Sequence, residues 1–502
     1  MLKKKIIIIS LGIAAIGLTS CKKQLDINVD PSNPSLGQLT PKLVFPAAVG
    51  SSAGRIGGDL GILGGIWAQY YTQGTTSNQY KDVDAYNLTK GYGSTNSGVA
   101  WVELYSGALN DLNFVITKAA VSKDWNYYLI GTVMKAYTMQ VLVDLYDQVP
   151  YTEAFKGADN LQPKFDDGYT VYKGLLAELD SALNKDFTAS TNTSPGVTDF
   201  IFPLSESTWS ITPWRKFANT LKLKLYLRMT YAKPTDADAG IKALYTSGAQ
   251  FLDVDASMNV FEDAPDKRNP LYTYNFVEIG TDGNLRASRT FLTWLQNNTD
   301  PRIDNYFSTT SGSTTSYTGI NQGDYSNPDV ALNSASKPKV SPTDPVDFIS
   351  VAESHFLQAE ALERYYAGAG AKTQYDAAVT ASFARYNDNA APFLAIGGKY
   401  AYLSAGTFEQ KLEQIIVQKW ASMPNTHPLE AFFEKNRTTY PKTSTVYSDN
   451  ATYIPGQFVY AKNGVTNGLF PKRLIFPDLE TSKNANAPAD QPVTKKIWWD
   501  VR

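Results

Sequence analysis

The chain has almost no thiol or imidazole: Cys21 is the only cysteine, and His355 and His427 are the only histidines, among 502 residues. A disulfide within the chain is excluded, and so are Cys/His zinc clusters and thiol redox chemistry. A Ser-His-Asp triad would have to use one of the two histidines. His355 stands beside Phe356 in a helical stretch and reads as packed or capped; His427 precedes Pro428 at a helix start and reads as a local cap. Lysine and arginine form no stripe beyond the first residues, so the footprint of a nucleic-acid partner is missing. Neither a Walker A nor a Rossmann glycine pattern occurs. The glycine-rich run 54–65 (GRIGGDLGILGG) fits neither, and close packing of small residues explains it.

What is present begins at the N-terminus. Lys3, Lys4 and Lys5 precede an apolar run, 6–18, broken only by Ser10 and followed by Leu18-Thr19-Ser20-Cys21. The run stops short of the roughly 20 apolar residues needed to span hydrocarbon. The pattern is that of an export signal over 1–20, cut before a lipid-accepting Cys21. More than one acyl chain on that cysteine gives a stable membrane anchor. Removing 1–20, which carry three lysines and no acids, takes the formal charge from −2 to −5. Residues 21–40 are polar, with Pro31 and Pro34, and read as a lipidated tether.

Beyond the tether, apolar residues recur at helical spacing. The segments fall into pairs: 101–121 with 127–145, 169–185 with 214–231, 350–367 with 373–387, and 408–421 with 428–436. One segment, 221–229 (LKLKLYLRM), alternates like a strand. Phe217, Leu221, Leu225 and Met229 also fall four apart, which predicts a helix over 214–231. The expected fold is mainly α, with tetratricopeptide-like helical pairs forming a curved scaffold and long irregular loops between them. Residues 232–348 and 438–502 carry few helix signals. Their tyrosines and the terminal Trp498-Trp499 argue for loops folded against the scaffold rather than disorder.

Several segments together resemble the SusD/RagB family of outer-membrane nutrient-binding lipoproteins. They are 25–34 (LDINVDPSNP), 142–154 (LVDLYDQVPYTEA), 214–228 (WRKFANTLKLKLYLR), 356–361 (FLQAEA), 415–420 (IIVQKW), 430–434 (EAFFE) and 497–500 (IWWD). Their order and spread carry the resemblance. One departure stands out: the family usually has Tyr-Gly-Asp before Val-Pro-Tyr, whereas here Tyr146-Asp147-Gln148 precedes it. The resemblance implies four tetratricopeptide-like pairs in one binding domain over 41–502, anchored at the outer membrane and exposed at the cell surface. It implies a SusC-like TonB-dependent transporter as partner, oligosaccharides as ligands, and no catalysis. The alternative from another class is a peptide-capturing or structural subunit of such a transporter.

A sugar offers apolar C–H faces to aromatic rings and hydroxyls to amide, carboxylate and guanidinium groups. Two loop regions hold both residue types: Tyr71, Asn78, Gln79 and Tyr80 in the first, and Tyr272, Tyr274, Arg286, Trp294 and Tyr317 in the second. Trp294 also fits a short buried helix over 291–295. A hydrolase would need two carboxylates flanking the scissile bond, but Asp82/Asp84 and Asp253/Asp255 read as solvated loop residues. The run at Asp236-Ala-Asp238-Ala-Gly240 has its glycine at the wrong place for an EF-hand. No cofactor is expected; structural calcium on loop oxygens stays open.

Overall fold

The structure, a computed structural model, describes residues 38–88, 98–278 and 283–502. The expected signal peptide, Cys21 and most of the 21–40 tether lie outside the described residues. Twelve helices of nine residues or more organise the described chain. They are α1 (Pro41–Gly57), α2 (Asp59–Trp67), α3 (Asn110–Ser122), α4 (Trp125–Tyr146), α5 (Gly168–Leu183) and α6 (Thr212–Arg228). After these come α7 (Pro234–Thr246), α8 (Arg289–Asn298), α9 (Val351–Tyr365), α10 (Ala371–Ala384), α11 (Phe408–Ala421) and α12 (Pro428–Thr438). Their starts are written locally. Asp124, Asp167 and Ser350 accept backbone N–H bonds from Tyr127, Thr170 and Glu353, and Thr407 with Gln410 forms a reciprocal capping box. Each such cap is worth about 1 kcal/mol.

The fold is mainly helical, as the periodicity predicts. α3 with α4, α5 with α6, and α9 with α10 lie side by side as the expected pairs. The alternating segment 221–229 is helical through Arg228. The fourth expected pair is the exception: α12 follows α11 but packs mainly on α2. Gly64 permits that approach, because a Cβ there would lie 2.4 Å from the Leu429 Cα. Helices α1, α2 and α7 were not expected. α2 is buried at every position (DLGILGGIW), so it has no polar face and no stripe to read. α1 holds Gly50, Ser51, Ser52 and Gly54, which are weak helix formers, and α7 sits among turn-forming residues.

Among the described residues, three short antiparallel ribbons tie loops to helices: β1 (Tyr71–Gln73) with β5 (Leu285–Ala287), β2 (Gln148–Pro150) with β3 (Phe165–Asp167), and β4 (Ala256–Met258) with β6 (Val346–Ile349). The register pairs Tyr71 with Ala287 and Thr72 with Arg286. The long loops fold onto the core, burying Phe458, Leu474 and Trp499. At the departure from the family pattern, Asp147 takes a positive φ of 73°, a conformation that favours glycine. Its carboxylate compensates: Oδ1 accepts the Trp498 N–H at 2.7 Å and so holds the C-terminal tail against α4.

The interior also contains a lattice of charge. Arg228 of α6 reaches Asp144 (3.1 Å), Glu430 (2.6 Å) and Glu434 (2.6 Å). Lys224, one turn earlier, lies 3.1 Å from Glu353 and 2.9 Å from Glu430. Lys419, Arg437, Arg364 and Glu360 complete it. Five cations therefore face five carboxylates, and each is almost sealed from water. His427 borders the lattice rather than capping α12 through its side chain. Its Nδ1 is 3.1 Å from Glu353 and its Nε2 2.8 Å from the Tyr137 hydroxyl. A carboxylate only accepts, so Nδ1 donates to Glu353 and Nε2 accepts a hydrogen bond from the Tyr137 hydroxyl.

Candidate functional site

Outside the core lies an open groove of about 1050 Å³. It is built from loop ends and helix ends. β4 and the residue after it supply Ser257 and Asn259, and the short helical segment Thr273–Val277 ahead of β5 supplies Phe276. The segment after α8 supplies Asn305 and Ser308, and residues 337–345 form one wall. The C-terminal end of α10 brings Arg385 and Tyr386, and the turn from α11 to α12 brings Asn425 and Thr426. Two half-buried rings, Phe276 and Tyr386, thus share a groove with three amide side chains.

The charged groups on the lining are largely committed. Arg385 contacts Asp347 at 2.8 Å and Asp255 at 3.3 Å. Burial alone would favour losing its charge, but the two carboxylates override that and raise its pKa. Burial pushes Asp347 up to about 6, with Arg385 opposing. Lys339 donates to the Asp304 carbonyl at 2.7 Å, and burial raises Asp344 while the Ser341 N–H holds its carboxylate. Burial pushes the Tyr386 hydroxyl up to about 12, so it remains a donor at neutral pH. Asn425 sits at a positive φ of 59° and is gripped from behind. Its N–H donates to the Tyr71 hydroxyl at 3.1 Å, its Oδ1 accepts the Tyr71 proton, and its Nδ2 donates to the Lys339 carbonyl at 2.8 Å.

The residues singled out from sequence do not gather in one place. Tyr71, Tyr80, Arg286 and Trp294 are buried and cannot offer a face to a sugar in this conformation. Tyr71 instead supports the groove through Asn425, and Arg286 donates to the carbonyls of Gly283 and Leu285. Trp294 lies in α8, stacked on Tyr400 at 5.6 Å with an interplanar angle of 2°, so the buried-helix reading describes it. Tyr80, 7% exposed, lies near Tyr274 and Glu278, and Asn78 and Gln79 are exposed beside it. The Tyr274 hydroxyl accepts from Arg55 at 2.6 Å. Tyr272 packs on Phe276 with ring centres 5.3 Å apart, which places it behind a groove ring. Tyr317 lines a separate hollow beside α8, its hydroxyl on Asp304.

Phe276, Asn305, Tyr386 and Asn425 escaped the sequence reading. Phe276 and Asn305 lie within the second loop region, and Pro424-Asn425 between two helices was the signal for the turn. Asp84, read as solvated, is fully buried; burial pushes it up to about 6 while Thr72, Gln73 and Gln322 hydrogen-bond it. Among the described residues no group of three or more His, Cys, Asp or Glu is arranged to hold a metal ion. None of the described helices is long and apolar enough to cross a membrane.

A family model, SusD-like, described as "Starch-binding associating with outer membrane", matches residues 65–461. The chain belongs to this SusD-like family. No curated protein matches it. Its fold is shared with a SusD homolog from Bacteroides uniformis, at 20% identity and a TM-score of 0.72 over 91% of this chain and 99% of that one. A SusD homolog from Bacteroides fragilis matches at 21% identity and TM-score 0.70, over 92% and 99%. A chitin-binding SusD homolog from Flavobacterium johnsoniae matches at 22% and 0.68, over 92% and 96%.

Proposed function

We propose that this protein is a surface lipoprotein that captures oligosaccharides without cleaving them and hands them to a SusC-like TonB-dependent transporter in the outer membrane. The carrying observation is the groove, where Phe276 and Tyr386 stand beside Asn259, Asn305 and Asn425. Rings to stack on C–H faces and amides to bond hydroxyls are what a saccharide needs. Membership in a starch-binding, outer-membrane family supports the same reading, and the chitin-binding relative suggests chito-oligosaccharides as the first probe. The residues form one binding domain over 41–502 in this reading, with Cys21 as anchor.

The test is calorimetry on the full chain in detergent, titrated with chitohexaose, maltoheptaose and hits from a glycan array. Saturable binding without release of reducing ends is expected. Silence on glycans with saturable peptide binding would overturn the reading in favour of peptide capture. For the anchor, Cys21→Ala should abolish partition of the processed protein into detergent, checked by phase separation. Co-purification with a TonB-dependent transporter tests the partner.

A further inference from the structure

Beside the main groove lies a smaller recess of about 230 Å³. Asp255, Arg385 and Thr426 line both spaces, so the two adjoin along the Asp255–Arg385 ion pair. The recess is smaller than the roughly 300 Å³ at which pockets for whole small ligands begin. It therefore suits one substituent of a ligand held in the groove.

Its walls state the chemistry of that substituent. Val351, Ala352 and Ala381 supply apolar surface, and Ser350, Ser422 and Thr426 supply hydroxyls. Ser350 Oγ accepts the Glu353 N–H at 3.1 Å and keeps its own proton to donate. Ser422 and Thr426 donate to the carbonyls of Lys419 (2.7 Å) and Met423 (3.1 Å) and keep lone pairs to accept. A group that both donates and accepts, on a compact carbon frame, satisfies all three. A charged substituent would not be matched: Asp255 and Asp347 already engage Arg385 at the neck, and an unpaired charge is costly to bury.

We propose that the recess is a branch subsite. It receives one neutral, hydroxyl-bearing sugar ring projecting from a backbone bound in the groove, and makes the protein selective for branched over linear oligosaccharides. The proposal rests on the glycan reading of the groove.

Calorimetry on the full chain in detergent tests it, with mannopentaose against its singly galactosylated form and cellotetraose against its xylosylated form. Wild type should bind the branched member of at least one pair about tenfold more tightly. Ala381→Phe, which fills the recess, should bring the branched affinity down to the linear one. If that variant lowers the melting temperature, Ala381→Leu gives the same comparison with less bulk. Equal affinity for branched and linear forms of every backbone that binds, or a preference that survives both variants, overturns the branch subsite and leaves the groove standing. Failure to bind any oligosaccharide overturns the groove reading and the subsite with it.

Discussion

Arg228 and Arg385 are both held between carboxylates, but in opposite settings. Arg228, whose side chain is 1% exposed, spends its guanidinium on three acids inside a balanced lattice between α4, α6 and α12. Arg385, 21% exposed, pairs with two acids at the edge of an open groove. A concentration of charge is therefore no mark of a site in this protein. The lattice is balanced in charge and sealed from solvent, so it has no open face to offer a ligand. The groove keeps amides, hydroxyls and two rings within reach of solvent.

Breaking the sealed side should have the largest effect. Arg228→Ala leaves Asp144, Glu430 and Glu434 without their shared partner. It should cost about 3–5 kcal/mol, the range for orphaning a buried charge, measured by denaturant unfolding. Leu225→Ala, at a fully buried position on the same helix, should cost about 2–5 kcal/mol through lost burial and a residual cavity. Comparing the two separates the charge lattice from the apolar packing around it.

Acid should act on the lattice next. Burial resists ionisation of Glu430 and Glu434, but Arg228, Lys224, Lys419 and Arg437 override it and hold both at about 2. A folded-state pKa below the usual value means stability fully present above about 4.5 and lost as pH falls toward 2. His427 adds to this in a higher window. Burial, then Lys224, lowers its pKa below 6.5, so the folded state disfavours the protonated ring and stability declines as pH falls through that value. Burial holds Asp84 and Asp347 up at about 6, which works in the other direction between about 4 and 6. Melting temperatures from pH 7 to pH 3 should thus fall most steeply below 4.5, and Glu430→Gln should flatten that last step.

The smallest effect belongs to the open side. Phe276→Ala removes a half-buried groove ring and should weaken glycan binding by about 0.5–1.5 kcal/mol, the value of one aromatic contact. The melting temperature should hardly move, as calorimetry and thermal unfolding together would show. A stability loss as large as that of Leu225→Ala would mean that the groove ring is core, and the contrast between the two regions would fail.

The sequence by itself determined the helices that have a wet side. α5 shows Val171, Tyr172, Leu175, Leu176 and Leu179 on one face, because helical period is local physics. The paired scaffold and the family pattern were legible for the same reason. Only the tertiary structure could reveal α2, which is buried all round, or the inward turn of Lys224 and Arg228, whose partners lie on three other helices. It also decided which rings are exposed. Tyr71 looks like any loop aromatic in sequence, and Trp294 fits a loop or a short buried helix equally well, yet one props Asn425 from beneath and the other stacks on Tyr400. The groove joins residues from 255 to 426, and neither periodicity nor motif spacing encodes a contact between segments that far apart. Burial and hydrogen-bonding capacity are properties of the assembled surface, and they fixed which polar residues here are structure and which remain open to a ligand.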